Sequence, residues 1–101
     1  MNTNDSKDHL YLYGVWVFNG GVKSTFSGGV FSKKELAEDW IKKNALTGTL
    51  TRYALDMGVY EWAISNGAFN PKRDNQKTPS FIGRFSSASQ EHYHYEDGKE
   101  A

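Results

Sequence analysis

Gly29-Val30-Phe31-Ser32-Lys33-Lys34-Glu35-Leu36-Ala37-Glu38-Asp39-Trp40-Ile41-Lys42-Lys43 decides the fold class of this chain, because a strand ends, a turn follows and an amphipathic helix begins within one run. Ser32 is placed to cap the helix, with Glu35 three residues on reaching back to its amide and Phe31 stapling against Leu36 across the first turn. From about Lys33 to Asn44, Leu36, Ala37, Trp40 and Ile41 form one apolar stripe, the pattern of a helix that packs on a sheet. Glu38 and Asp39 precede Lys42 and Lys43 by four residues, an orientation that supports a solvent face by about 0.2–0.5 kcal/mol per pair.

On the N-terminal side, residues 9–18 (His-Leu-Tyr-Leu-Tyr-Gly-Val-Trp-Val-Phe) are aromatic and β-branched and run into Asn19-Gly20-Gly21, a turn signal. Apolar side chains fall on both alternating faces, so this strand is expected at the centre of the sheet. Val22 to Phe26 is expected to return as its hairpin partner, with Gly28-Gly29 as a bulge. On the C-terminal side, Thr49 to Leu55 alternates Thr49, Thr51, Tyr53, Leu55 with Leu50, Arg52, Ala54 as a third strand. Asp56 is placed to cap a second helix, Met57 to Asn66, which stops at Gly67.

Asn70 to Lys77 carries no apolar side chain and is expected to be a mobile, solvated loop. Thr78-Pro79 then reads as an N-cap followed by a first-turn proline, opening a short helix with Phe81, Ile82 and Phe85 on one face. Gln90 to Glu96 forms the last strand, alternating His92, His94, Glu96 with Glu91, Tyr93, Tyr95. The expected fold is α+β: an antiparallel sheet of about four strands in the order β-β-α-β-α-α-β, with helices packed on one face. Trp16, Trp40, Ile41, Leu55 and Trp62 are the expected core. A length of 101 residues suits one domain, expected over 9–96, with polar, disordered ends at 1–8 and 97–101.

Twelve basic and twelve acidic side chains cancel, leaving no overall field to draw the chain onto nucleic acid or an anionic membrane. The absence of cysteine removes disulfide frameworks, thiolate zinc sites and cysteine nucleophiles together. With no signal-like apolar core near the start and no stretch able to span a bilayer, a cytoplasmic protein is expected.

No catalytic centre is legible, no cofactor is called for, and a non-enzyme is expected. His92, His94 and Glu96 on one strand face are the alternative, a metal or histidine-based catalytic set, because divalent ions accept two imidazoles and a carboxylate. Their spacing of nearly 7 Å, about twice the rise per residue, works against a single ion without help from twist. Tyr11, Tyr13, Tyr93 and Tyr95 instead offer rigid amphipathic area for a protein partner, with the basic Lys72 and Arg73 as further candidate contacts.

The succession of a strand, Gly29-Val-Phe-Ser-Lys-Lys-Glu-Leu-Ala37, Tyr53-Ala-Leu-Asp56, Trp62 and Gly67-Ala-Phe69 resembles small bacterial domains of unknown function, some of which look like immunity proteins of toxin–immunity systems, including contact-dependent growth inhibition. The resemblance covers roughly residues 10–95 and rests on fold-forming residues. It implies a protein that binds and neutralises a cognate toxin domain inside the cell that makes it, and it carries over no catalytic residue. The zero net charge departs from the strongly acidic character of many nuclease inhibitors.

Overall fold

The computed structural model describes residues 14–21 and 26–101. Among them lie an antiparallel five-stranded sheet, three α-helices and one 3-10 turn. β1 (Val15–Asn19), β2 (Gly29–Phe31), α1 (Lys34–Lys43) and β3 (Gly48–Tyr53) come first. α2 (Val59–Ser65), the 3-10 turn Asp74–Gln76 and α3 (Pro79–Arg84) follow, and β4 (His92–Glu96) and β5 (Lys99–Glu100) close the chain. The strand order is β2-β1-β3-β4-β5, so β1 and β3 are interior as the two-faced pattern of β1 requires. Residues 1–13 and 22–25, which carry the start of the expected first strand and most of the expected hairpin partner, lie outside the described residues.

On one edge β1 pairs with β2, with Trp16 opposite Phe31 and Val17 opposite Val30. Pairing in this register puts Phe31 on the same face as Trp16 and Phe18, where its ring meets Trp40 at 5.3 Å. The strand therefore runs through Phe31, and the helix start moves on by a residue. The expected Ser32 cap is not made: Lys33 is the N-cap residue, in extended conformation and without a side-chain cap bond. Phe31 packs on Trp40 rather than stapling to Leu36, which stays 51% exposed.

α1 lies across one face of the sheet, with Ala37 and Ile41 completely buried against Trp16, Phe18, Leu50 and Tyr95. On one flank Trp40 meets Phe18 edge-on at 5.4 Å. On the other, Lys34 sits 3.7 Å above the Tyr93 ring and Glu38 accepts a 2.6 Å hydrogen bond from the Tyr95 hydroxyl. Glu38 thus belongs to the sheet-facing side of the helix rather than to a solvent face. Burial, then the Glu38 hydrogen bond and charge, hold the Tyr95 phenol well above its ordinary pKa.

The helix end supplies a further anchor. Ala45 takes the left-handed conformation at φ 52°, and the amides of Ala45 and Leu46 bond back to the carbonyls of Lys42 and Ile41. Gly67 plays the same part after α2 at φ 74°, as its position in the sequence predicts, with the Gly67 and Ala68 amides bonded to Ile64 and Ala63. The N-cap of α2 is Gly58; Asp56 sits instead in the preceding turn at φ 60°.

Between β3 and β4 the chain builds a lobe of its own. Tyr60, buried to 7% exposure, is ringed by Phe69, Phe81 and Phe85 at centroid distances of 5.8, 6.3 and 5.5 Å. Its hydroxyl donates to the Gln76 carbonyl at 2.8 Å, and the Gln76 side-chain oxygen accepts from the Lys72 and Arg73 amides at 2.9 and 3.1 Å. The polar segment expected to be mobile is therefore tied to an aromatic cluster through one glutamine. Thr78 caps α3 by accepting from the Phe81 amide at 3.2 Å, with Pro79 in the first turn, as the sequence predicts. Leu55 and Trp62, expected in the main core, are respectively 39% exposed and half-buried, because α2 turns Tyr60 into the lobe.

The C-terminal residues, expected to be a disordered tail, form a hairpin. Asp97 and Gly98 both take positive φ, 52° and 85°, the geometry of a two-residue turn matched to strand twist. Their amides bond to Thr47 Oγ1 at 3.0 Å and the Leu46 carbonyl at 2.9 Å, and the Ala101 amide bonds to the His94 carbonyl. A Cβ on Gly98 would lie 3.1 Å from the Ala45 Cα, so close approach and backbone conformation both call for glycine.

Candidate functional site

Strand alternation sorts the sheet residues into two sets with different fates. Trp16, Phe18, Phe31, Leu50, Tyr93 and Tyr95 lie on the face packed by α1, and their neighbours along each strand point to the opposite face. The register writes that second face out in rows. Val30, Val17, Thr51 and His92 lie side by side across β2, β1, β3 and β4; Asn19, Thr49 and His94 form the next row; Val15 and Tyr53 pair in a third. The face thus grades from apolar at the β2 edge, where Val30 is 62% exposed, through hydroxyls to a pair of imidazoles.

Two shallow clefts meet on this surface. One, of about 270 Å³, is walled by Thr51, Tyr53 and His92 of the sheet and by Ser86 and Ser87 of the segment returning from α3. The other, of about 420 Å³, lies by Thr49, His94 and Asn19. Thr49 and Thr51 border both. The returning segment is held in place by Gln90, 6% exposed, whose side-chain nitrogen donates to the Arg52 carbonyl at 3.2 Å. The Arg52 amide donates to the Glu91 carbonyl at 2.9 Å, so the cleft wall is fastened to β3.

The imidazoles of His92 and His94 stand perpendicular with centroids 5.2 Å apart. His92 Nδ1 lies 2.7 Å from the Gln90 carbonyl; a carbonyl only accepts, so Nδ1 carries the proton. His94 Nδ1 is 3.4 Å from Thr49 Oγ1. Glu96 does not complete the alternative three-ligand set: among the described residues no three His, Asp or Glu side chains converge as a metal cage.

The other residues singled out in the sequence are dispersed. Tyr95 is a core residue at 5% exposure, and Tyr93 is half-buried on the helix-covered face with its hydroxyl donating to Glu91 Oε2 at 2.6 Å. Lys72 and Arg73 are exposed in the lobe, where their backbone amides, bonded to Gln76, fix the segment. Tyr11 and Tyr13 lie outside the described residues. The hydroxyls of Thr49, Thr51 and Tyr53 are the part of the site that residue-type scanning passes over. Their signal is the alternation within β3, which acquires meaning only once β3 is known to pair with β4.

No helix among the described residues is long and apolar enough to cross a membrane. No curated protein and no solved structure matches the chain. Residues 15–101, covering both the sheet and the lobe, match the family described as Domain of unknown function (DUF7710), and the chain belongs to that family.

Proposed function

We propose that the protein is a small cytoplasmic protein-binding module whose contact surface is the sheet face opposite α1. The observation that carries this reading is the graded row Val30, Val17, Thr51, His92: apolar area beside hydroxyl and imidazole donors on a rigid hydrogen-bonded platform. Such a mixture suits an interface, where apolar contact supplies affinity and a few polar groups fix orientation. β2 adds a short edge next to the apolar end of the row. The finer form of the proposal is that the partner is a toxin domain that the protein neutralises, supported by the resemblance of its fold-forming residues to immunity proteins.

The test is co-purification of the tagged full chain with its partner, repeated with Val30→Asp and Thr49→Arg on this face and Lys43→Glu at the exposed end of α1. Loss of a stoichiometric partner in the first two variants alone supports the surface. Equal retention in all three removes it. For the finer form, co-expression with a toxin domain from a gene neighbouring this one is expected to restore growth; growth arrest despite a folded protein, or a neighbourhood without a toxin gene, would leave only the binding module.

A further inference from the structure

We propose that His92 and His94 form a two-imidazole site for a borderline divalent ion, with Zn²⁺ as the reference ligand and water or cleft hydroxyls completing its coordination. The proposal is independent of the partner-binding reading and stands on geometry. Same-face residues on a strand are separated by about 7 Å along the backbone, yet these rings lean together to a centroid distance of 5.2 Å. Two imidazoles holding one ion at 2.0–2.1 Å and the tetrahedral angle place their centroids roughly 5 Å apart, a spacing that the observed pair matches.

The surroundings orient both rings. Each Nδ1 faces an oxygen of the protein: the Gln90 carbonyl takes the Nδ1 proton of His92 and leaves its Nε2 to bind, and Thr49 Oγ1, able to accept from Nδ1, can support the same tautomer of His94. A ligating histidine generally has its second nitrogen engaged by a carbonyl or other oxygen, which sets the tautomer and raises ligand basicity. The platform is stiff as well: His92 pairs with Thr51 and His94 with Thr49 in the β3–β4 ladder, and on the other edge the Ala101 amide bonds to the His94 carbonyl. With nitrogen donors and no converging carboxylate, the site favours ions such as Zn²⁺, Ni²⁺ or Cu²⁺ over Mg²⁺ and Ca²⁺. The adjoining clefts, bordered by Thr49 and Thr51, leave room for water or a small oxygen ligand at the open positions.

Calorimetric titration of the full chain with Zn²⁺, alongside Mg²⁺ as a control, is expected to give saturable binding of one ion per chain for Zn²⁺ alone. His92→Ala and His94→Ala are each expected to abolish it with an unchanged circular dichroism spectrum, and Thr49→Val to weaken it by about tenfold through loss of the Nδ1 partner. Imidazole proton resonances of the wild-type chain give a second readout that needs no variant: those of His92 and His94 should shift together as Zn²⁺ is added. No saturable heat, binding that survives in both alanine variants, or binding lost only on His9→Ala would overturn the site.

Discussion

The sheet layer and the lobe between β3 and β4 are both held by aromatic side chains, but they use them differently. In the sheet layer, Trp16, Phe18, Trp40 and Tyr95 surround small or aliphatic centres, Ala37, Ile41 and Leu50, none of which touches solvent. In the lobe, Tyr60, Phe69, Phe81 and Phe85 pack ring to ring, with Phe69 and Phe85 at 4.7 Å, and Tyr60 and Ala63 as the buried members. The first arrangement comes from strand pairing between distant residues. The second draws all its rings from one continuous stretch, residues 60–85, closed by the Tyr60 hydroxyl bond to Gln76. A core fixed by long-range pairing is expected to unfold only with the whole domain, whereas a locally closed cluster can open by itself.

Leu50→Ala gives the largest expected effect, about 3–5 kcal/mol of global stability, since the site has no exposure through which neighbours could relax. A denaturation midpoint that hardly moves would mean that β3 is not the centre of the core. Tyr60→Ala is expected to cost about 3 kcal/mol, the lower end for a buried aromatic, and to act locally. Hydrogen exchange should quicken at the Ala68 and Phe81 amides while the Arg52 and Gly28 amides keep their protection. Equal loss in both sets would merge the two regions into one cooperative unit.

Tyr95→Phe removes a hydrogen bond to a carboxylate and is expected to cost about 1.5–3 kcal/mol near neutral pH. Because the folded phenol titrates above its unfolded value, its contribution is complete below about pH 10 and fades as pH rises through and beyond it. The gap between wild type and Tyr95→Phe should therefore narrow in alkaline denaturation curves; a constant gap would place the cause elsewhere. The smallest effects test the two matching helix ends. Ala45→Gly relieves a left-handed alanine and should stabilise by about 0.5–1 kcal/mol, while Gly67→Ala introduces the same strain and should destabilise by about 1 kcal/mol. Thermal melts of both variants read the pair directly.

Much of the local structure was legible because it depends on neighbours in sequence. The Ala37, Trp40 and Ile41 part of the α1 stripe, the Thr78-Pro79 start of α3, the Gly67 stop and the alternation of β3 and β4 all follow from periodicity or capping chemistry. Asp97-Gly98 carried a hairpin signal too, obscured by a run of charge that resembled a polar end. What misled was competition between local and distant partners. Ser32 has the chemistry of a cap, yet pairing of Phe31 with Trp16 moved the helix start past it. Glu38 has the pattern of a solvent-face ion pair, yet Tyr95, fifty-seven positions away, turns it inward.

The same division holds for the candidate site. Sequence alone determined that His92, His94 and Glu96 share a strand face, and that Thr49, Thr51 and Tyr53 share another, because side chains alternate along any strand. Only tertiary structure decided that the two faces are one surface, that α1 covers its reverse, and that Tyr93 and Tyr95 belong to the covered side. Strand order and register arise from burying Leu50, Ile41 and their neighbours together. That is a collective property of residues far apart in the chain, which no local pattern records.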